Sequence, residues 1–176
     1  MHCKLSLKPE GKGVYTILAN VNSGAFVDIG RLGLFEFSGL YAYTGSGQGK
    51  GSTSLNGRVS RHFGLRGEKK VRWHIDYLLA NFRTQVEGAV LSATNVRSKE
   101  CEVSKNILRL SGSSPPVIGF GSSDCDCESH LARLRGETAA AFSTILKAHM
   151  KAELKPALLY NAKLSDNIAM RQKPML

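Results

Sequence analysis

Long hydrophobic runs are missing from this sequence. No stretch approaches the ~20 consecutive apolar residues that span a bilayer, so we expect no membrane segment. The first residues also lack the apolar segment and small-residue cleavage site of a signal peptide, and we expect a cytoplasmic protein. Cysteine is scarce as well. Four thiols, with Cys125 and Cys127 too close for a mutual disulfide, indicate a reducing compartment rather than a disulfide framework.

Acidic residues are few relative to basic ones. The chain has 14 Asp and Glu against 24 Lys and Arg, which gives a net charge of +10. A balance this basic favours a polyanionic partner: DNA, RNA or an anionic membrane face. The alternative is that the charge only keeps a small basic protein soluble. The sequence does not indicate an oligomeric state.

The order of predicted elements indicates the fold class. The 176 residues, 42% of them hydrophobic, can form one domain with a substantial core. Apolar patterns predict strands at 13–21, 25–29, 34–37, 40–44 and 85–93, and helices at 55–63, 73–82, 98–110 and 137–154. This order predicts an α+β fold: a small antiparallel or mixed sheet flanked by helices, with an extra N-terminal hairpin (25–37) and a C-terminal helix. We expect a domain at 1–134 and a helical extension at 135–176 packed on or near its core.

Three segments give weaker patterns. Four glycines between residues 45 and 51 predict a flexible loop rather than a regular element. Residues 130–134 are ambiguous. Residues after Pro156 are predicted to form a peripheral helix or a tail.

Candidate catalytic side chains occur in three places. Tyr15 and Tyr43 lie near strand ends, each beside a glycine, and can point into a shared cleft, although most strand tyrosines are packing residues. Arg58 and His62 share a helix face at spacing i, i+4, where arginine matches phosphate oxygens and histidine can relay a proton. The alternative for this pair is a solvated basic face. Glu100 lies on the apolar face at the start of a helix.

A carboxylate in such a position is costly to bury without a partner such as a metal ion. Glu102 lies nearer the polar face, so Glu100 is the better candidate ligand and Glu102 the alternative. A helix-start acid favoured by the helix dipole explains both residues equally well. The segment Cys125-x-Cys127-x-x-His130 offers three ligands suited to zinc, and a fourth would have to come from elsewhere. We interpret these thiols as structural, with zinc as the alternative.

Together these segments resemble the GIY-YIG nuclease family. The matching segments are Gly13-Val14-Tyr15, Tyr43-Thr44-Gly45-Ser46, Arg58-Val59-Ser60-Arg61-His62-Phe63 and Glu100-Cys101-Glu102. Residues 73–79 and 119–131 are similar to those of a prokaryotic branch identified as Uri-superfamily endonucleases. The resemblance covers about residues 11–134. The chain departs from the family pattern in a longer gap between the two tyrosines and a longer glycine loop.

The resemblance implies a DNA endonuclease that uses one divalent ion. Glu100 would bind Mg²⁺ or Mn²⁺, Arg58 would hold a phosphate oxygen, Tyr15 would be the general base and Tyr43 would orient the water or the phosphate. His62 or His74 would accept the proton if Tyr15 does not, because a free tyrosine has a pKa of about 10. Residues expected to bind the nucleic acid are Ser46, Lys50, Arg61, Lys69, Lys70 and Arg72. The alternatives are a non-catalytic DNA- or RNA-binding module and, third, a structural or interaction protein.

Overall fold

The computed structural model describes residues 11–64 and 71–161, which form one antiparallel sheet with two helices on each face. The strands are β1 (Gly13–Asp28), β2 (Leu34–Gly47), β3 (Thr84–Ala93), β4 (Leu131–Leu134) and β5 (Ala157–Tyr160). The helices are α1 (Leu55–Phe63), α2 (His74–Ala80), α3 (Lys99–Ser111) and α4 (Thr138–Lys151). The strand order is β4-β2-β1-β3-β5. The predicted α+β class, with its antiparallel sheet and C-terminal helix, is confirmed.

Side-chain alternation along β1 creates two separate cores, because successive residues of a strand point to opposite faces. Tyr15 and Ile17 belong to the core that contains the apolar residues of α1 and α2. Val14 and Leu18 belong to the core that contains those of α3 and α4. Both faces of the central strands are therefore covered.

The helices lie close to their predicted bounds. The predicted helix 55–63 coincides with α1, and its Ser54 cap accepts a hydrogen bond from the backbone N–H of Gly57 at 3.1 Å. The other three helices differ by one to three residues at each end, within ordinary fraying. None of the helices in the described ranges is long and apolar enough to cross a membrane.

The strands are longer than predicted. The turn expected at 22–24 is an irregularity inside β1, where the pairing register with β2 shifts between Val21 and Ala25. Gly24 and Gly39 adopt φ values of +63° and +90°, which L side chains rarely adopt, so the two strands bend there without separating. The extra hairpin at 25–37 is thus the far end of one long β1–β2 ribbon.

Two predictions at strand positions are wrong. Residues 45–47, expected in a flexible loop, continue β2, and Tyr15 pairs directly with Gly45. Pairing with β1 supplies the hydrogen bonds that outweigh the entropy cost of the glycines. Residues 157–160, expected as a helix or tail, form the edge strand β5 against β3. The ambiguous segment 130–134 contains β4.

A buried polar network lies in the α3/α4 core. Nε2 of His149, on α4, lies 3.0 Å from the hydroxyl of Thr16, and Nδ1 lies 2.9 Å from that of Ser92. Thr16 also bonds Thr44 across the sheet at 3.1 Å. Burial lowers the pKa of His149 to about 4, so this histidine is neutral near pH 7.

Candidate functional site

The two candidate tyrosines lie side by side under α1. Strands β1 and β2 bring their rings to a centroid distance of 6.4 Å, and both side chains are buried. Gly45 makes this possible, since a Cβ at that position would lie 2.5 Å from the Tyr15 hydroxyl. Gly121 has a similar role beside Tyr43, where a Cβ would lie 2.8 Å from the ring. These glycines provide the space that the tyrosine rings require.

His62 contacts the hydroxyl of Tyr15. Its Nε2 lies 2.9 Å from that oxygen, and its Nδ1 lies 4.0 Å from Oδ1 of Asp76, at the start of α2. A carboxylate on the Nδ1 side favours the tautomer with its proton there, which leaves Nε2 as an acceptor for the phenol. Asp76 is buried, and its Oδ2 accepts hydrogen bonds from Arg61 and from the backbone N–H of Trp73. A buried series of contacting polar side chains therefore runs from Tyr15 through His62 to Asp76.

Arg58 is held on the lone tryptophan of the sequence. Its guanidinium carbon lies 4.7 Å from the ring centroid of Trp73, within the range of a cation–π contact. Its Nε is buried and makes no hydrogen bond to any residue of the described ranges. Burial raises the pKa of the nearby Tyr15, and the charge of Arg58 and a hydrogen bond from it offset part of this rise. The planar fork of Arg58 is thus oriented and retains donor capacity.

A cavity at the end of the β1–β2 ribbon joins the two sides of the sheet. We call it the strand-end cavity. It has a volume of about 540 Å³. Arg58 reaches it from α1 on one side of the sheet, and Glu100 from the start of α3 on the other. The cavity is also lined by polar residues that include Ser46, Gln48, Ser98, Asp124 and His130.

Two neighbours orient the carboxylate of Glu100. The hydroxyl of Ser46 donates a short hydrogen bond to Oε2. Nδ1 of His130 lies 3.2 Å from Oε1. Glu102, the alternative candidate, instead pairs with Lys99 at 2.9 Å, and its side chain is 42% exposed. The geometry therefore gives Glu100, rather than Glu102, access to the strand-end cavity.

Burial opposes ionisation of both tyrosines. It raises the pKa of Tyr15 well above its ordinary value, and the charge of Arg58 offsets only part of this rise. Burial likewise raises the pKa of Tyr43, and the neighbouring Tyr15 and then the negative charge of Glu100 raise it further. A neutral phenol, able to donate one proton and accept another, is therefore the resting form of each.

The remaining predicted residues lie in different places. His74 contacts the connection before β4: its Nδ1 accepts the backbone N–H of Gly121, and burial lowers its pKa. Arg61 pairs with Asp76 at 2.6 Å, so its charge is already engaged. Lys50 and Arg72 are exposed. Lys69 and Lys70 lie outside the described residues.

A cluster of sulfur and nitrogen atoms adjoins the same cavity. Its four ligand atoms all lie within 4.8 Å of one another. We call it the thiol–imidazole cluster, and its members are Cys101, Cys125, Cys127 and His130. Burial, and then the neighbouring thiols of Cys127 and Cys125, raise the pKa of Cys101 to about 12. The sequence interpretation had three local ligands and lacked the fourth, Cys101.

Sequence reasoning missed several of these partners. Cys101 is the residue after Glu100, and no spacing links it to Cys125 across the intervening chain. Asp76 is another such partner. Its position three residues after Trp73, where a side chain can accept the free N–H groups at the start of a helix, is the available signal. No sequence pattern indicates that Trp73, the single tryptophan, contacts Arg58.

The chain belongs to the family described as domain of unknown function DUF123, whose model matches residues 14–152. The match includes every element from β1 to α4, and with them both sides of the strand-end cavity. No curated protein sequence and no solved structure gives a significant match to the chain.

Proposed function

We propose that this member of the DUF123 family is a metal-dependent endonuclease of the GIY-YIG type that hydrolyses phosphodiester bonds of DNA. The observation that carries the proposal is the meeting of Arg58 and Glu100, from opposite sides of the sheet, in one cavity. The charges of both residues act on the buried Tyr15. A guanidinium can stabilise the charge of a phosphate in the transition state, and a carboxylate can hold a divalent ion that acts as a Lewis acid. The net charge of +10 supports a polyanionic substrate.

Arg58 binds a non-bridging phosphate oxygen in this proposal. Stacking on Trp73 orients its planar fork, and the residue lines the strand-end cavity, where its guanidinium can meet a phosphate oxygen. A donor aimed at the phosphate stabilises the charge that develops in the transition state, which is worth about 10²–10³-fold in rate. Lysine cannot reproduce this contact, because its ammonium neither stacks in a plane nor donates as a fork.

Tyr15 and His62 move the proton of the attacking water. The water donates to the Tyr15 oxygen while the phenol donates its own proton to Nε2 of His62, at 2.9 Å. The phenol is neutral before and after this transfer, so its raised pKa is no obstacle. Asp76, on the Nδ1 side, stabilises the imidazolium that forms. Tyr43 packs against Tyr15 and keeps the ring in place.

The residues around Glu100 fit a hard divalent cation. Glu100, Asp124, Ser46 and Ser98 present oxygen atoms to the cavity, and Mg²⁺ and Mn²⁺ prefer oxygen ligands. Glu100 would hold the ion. When bound, the ion would supply Lewis-acid stabilisation of the leaving oxygen.

A non-catalytic nucleic-acid-binding module is the second candidate. The observation that favours it is the burial of both tyrosines, whose phenols are 1% and 7% exposed. Such a module would bind DNA or RNA through the basic surface with an affinity that falls as salt rises. It would give no product.

One assay separates the two. The full chain is incubated with labelled single-stranded DNA, double-stranded DNA and RNA, each with Mg²⁺, Mn²⁺ or EDTA. The endonuclease predicts cleavage of DNA that EDTA abolishes and that Arg58→Ala reduces by about 10² or more. Binding without cleavage under every metal condition would replace the proposal by the binding module, and cleavage retained in EDTA would contradict the metal requirement.

A further inference from the structure

The chain between α3 and β4 makes the thiol–imidazole cluster. Residues 112–130 connect these elements without a helix or strand. Connections longer than about 12–15 residues with no regular structure are uncommon in compact domains and usually have a function. This one turns back on itself, since the N–H of Gly119 bonds the carbonyl of Glu128 and that of His130 bonds the carbonyl of Phe120, each at 2.7 Å. The fold of the connection places Cys125, Cys127 and His130 together.

A fourth ligand comes from a different element. Cys101 lies in the first turn of α3, and its Sγ reaches the three atoms of the connection to within 4.8 Å. Two separate elements thus converge on one point: the first turn of α3 and the long connection before β4. Chance proximity of exposed thiols does not explain the arrangement, because Cys127 and His130 are buried.

We propose that the thiol–imidazole cluster binds one Zn²⁺ ion in a site separate from the carboxylate of Glu100. Three thiolates and one imidazole form a closed, four-coordinate set of the kind that holds structural zinc. Sulfur ligands at about 2.3 Å from a tetrahedral zinc lie about 3.8 Å apart. The ligand atoms of the cluster all lie within 4.8 Å of one another, about 1 Å from this value at most. Nε2 of His130 and Sγ of Cys125 are already 3.5 Å apart.

The orientation of His130 links this site to the strand-end cavity. Nε2 faces the thiols, and Nδ1 lies 3.2 Å from Oε1 of Glu100. A zinc-bound histidine usually donates its second N–H to a carboxylate or a carbonyl, which fixes its ring and raises its basicity as a ligand. Zinc would therefore stabilise the position of the Glu100 carboxylate through the imidazole. The zinc site itself does not depend on the proposed endonuclease activity. The functional role of its link to Glu100 does rest on that activity.

Metal content tests the site without any activity measurement. The untagged full chain is purified without added metal or chelator and analysed by mass spectrometry of its metals, and we expect about one zinc per chain. The metal-free protein titrated with Co²⁺ should show the visible absorption of tetrahedral cobalt bound to thiolates, which Zn²⁺ then displaces. Stoichiometric iron in place of zinc would overturn the assignment, as would a zinc affinity weaker than about 10⁻⁷ M.

Variants then test the ligand set and the link. Cys125→Ser should weaken zinc binding at least 100-fold, and Cys3→Ser, which removes the remaining thiol, should leave it unchanged; the reverse result would overturn the ligand set. If Cys125→Ser does not fold, the cobalt spectrum of the unaltered chain still decides the site. Glu100→Gln should weaken zinc binding about 10–100-fold at unchanged stoichiometry. Zinc affinity that is unaffected by Glu100→Gln would overturn the proposed link between His130 and Glu100. Zinc binding in a chain that cleaves no DNA would contradict only the proposed endonuclease activity and would leave the zinc site standing.

Discussion

The hydroxyl of Tyr15 lies 2.9 Å from Nε2 of His62, in the buried core between the sheet and α1. The two residues are far apart in sequence, and their contact depends on the register that pairs Tyr15 with Gly45. The phenol can accept a proton on its oxygen while it donates its own proton to the imidazole. The carboxylate of Asp76 lies on the other side of that imidazole. We therefore expect the two residues to act as one unit in the proposed reaction.

Substituting either member of this pair should therefore give a similar defect. We expect Tyr15→Phe and His62→Gln each to lower the cleavage rate by about 10²–10⁴-fold, the usual value of a positioned proton acceptor. The double variant should be little worse than either single one, because the two groups serve one transfer. Single-turnover rates at saturating DNA measure this. Additive losses would show that the residues act independently.

Gly45 should tolerate no side chain. A Cβ there would lie 2.5 Å from the Tyr15 hydroxyl, so Gly45→Ala forces the phenol away from His62. We expect a loss of about 1–3 kcal/mol in the free energy of unfolding from this overpacking, together with loss of cleavage. Gly11→Ala is the matched control, because nothing lies within 4 Å of its Cβ position. Urea denaturation and cleavage rates measure both, and equal effects of the two substitutions would contradict the close approach.

Arg58 and Arg61 both lie against Trp73 but should respond differently to substitution. Arg58→Lys loses the planar stack and the phosphate fork, and we expect a fall of about 10²-fold or more in cleavage with little change in stability. Arg61→Lys replaces the partner of the buried Asp76, and we expect mainly a loss of stability, about 1–3 kcal/mol. Cleavage rates and thermal unfolding of both variants provide the comparison. A large catalytic defect in Arg61→Lys alone would reassign the phosphate contact.

The two acids at the start of α3 allow an equally close comparison. Glu100→Gln keeps the shape of the side chain but removes the charge from the strand-end cavity, and we expect metal-dependent cleavage to disappear. Glu102→Gln breaks a surface pair with Lys99 worth about 0–1 kcal/mol, and we expect cleavage to persist within a few-fold. Cleavage rates across a Mn²⁺ titration distinguish them. Loss of activity in Glu102→Gln with retention in Glu100→Gln would reverse the assignment.

His149 should make the protein sensitive to acid. Burial lowers its folded-state pKa to about 4, against about 6.5 when unfolded, so the unfolded chain binds a proton more readily between these values. Its contribution is fully present above pH 6.5 and is lost as the pH falls towards 4, at most about 3 kcal/mol. Urea denaturation at a series of pH values measures the free energy of unfolding. The curve of His149→Gln should be flatter over this range, and parallel curves would show that another group is responsible.

Local patterns predicted most of the fold. The bounds of α1 are predicted from the spacing of Leu55, Val59 and Phe63. Ser54, as a cap, marks the helix start, and both signals are patterns of residues close together in sequence. Strand ends were predicted less well. The glycines at 45 and 47 favour a loop by themselves, and only pairing with β1, a contact between distant segments, makes them part of β2.

The candidate site was likewise predicted from the sequence only in part. Sequence motifs singled out Tyr15, Arg58 and Glu100, which the fold brings to the strand-end cavity and the core beneath it. They did not show that His62 rather than His74 contacts Tyr15. His62 lies in the last turn of α1 and His74 begins α2, so the choice depends on how the two helices pack against the sheet. The sequence also did not indicate Cys101 as a ligand, because its partners lie in the connection before β4.

The chain order of the two cores has a consequence for folding during synthesis. The β1–β2 ribbon and the helices α1 and α2 leave the ribosome first, and they can close one side of the sheet early. The opposite side, which includes Leu18 and Ala42, acquires its full cover only when α4, ending at Lys151, has emerged. A nascent chain stalled before Thr138 would therefore present an apolar sheet surface to chaperones and to other nascent chains, and would be prone to aggregate.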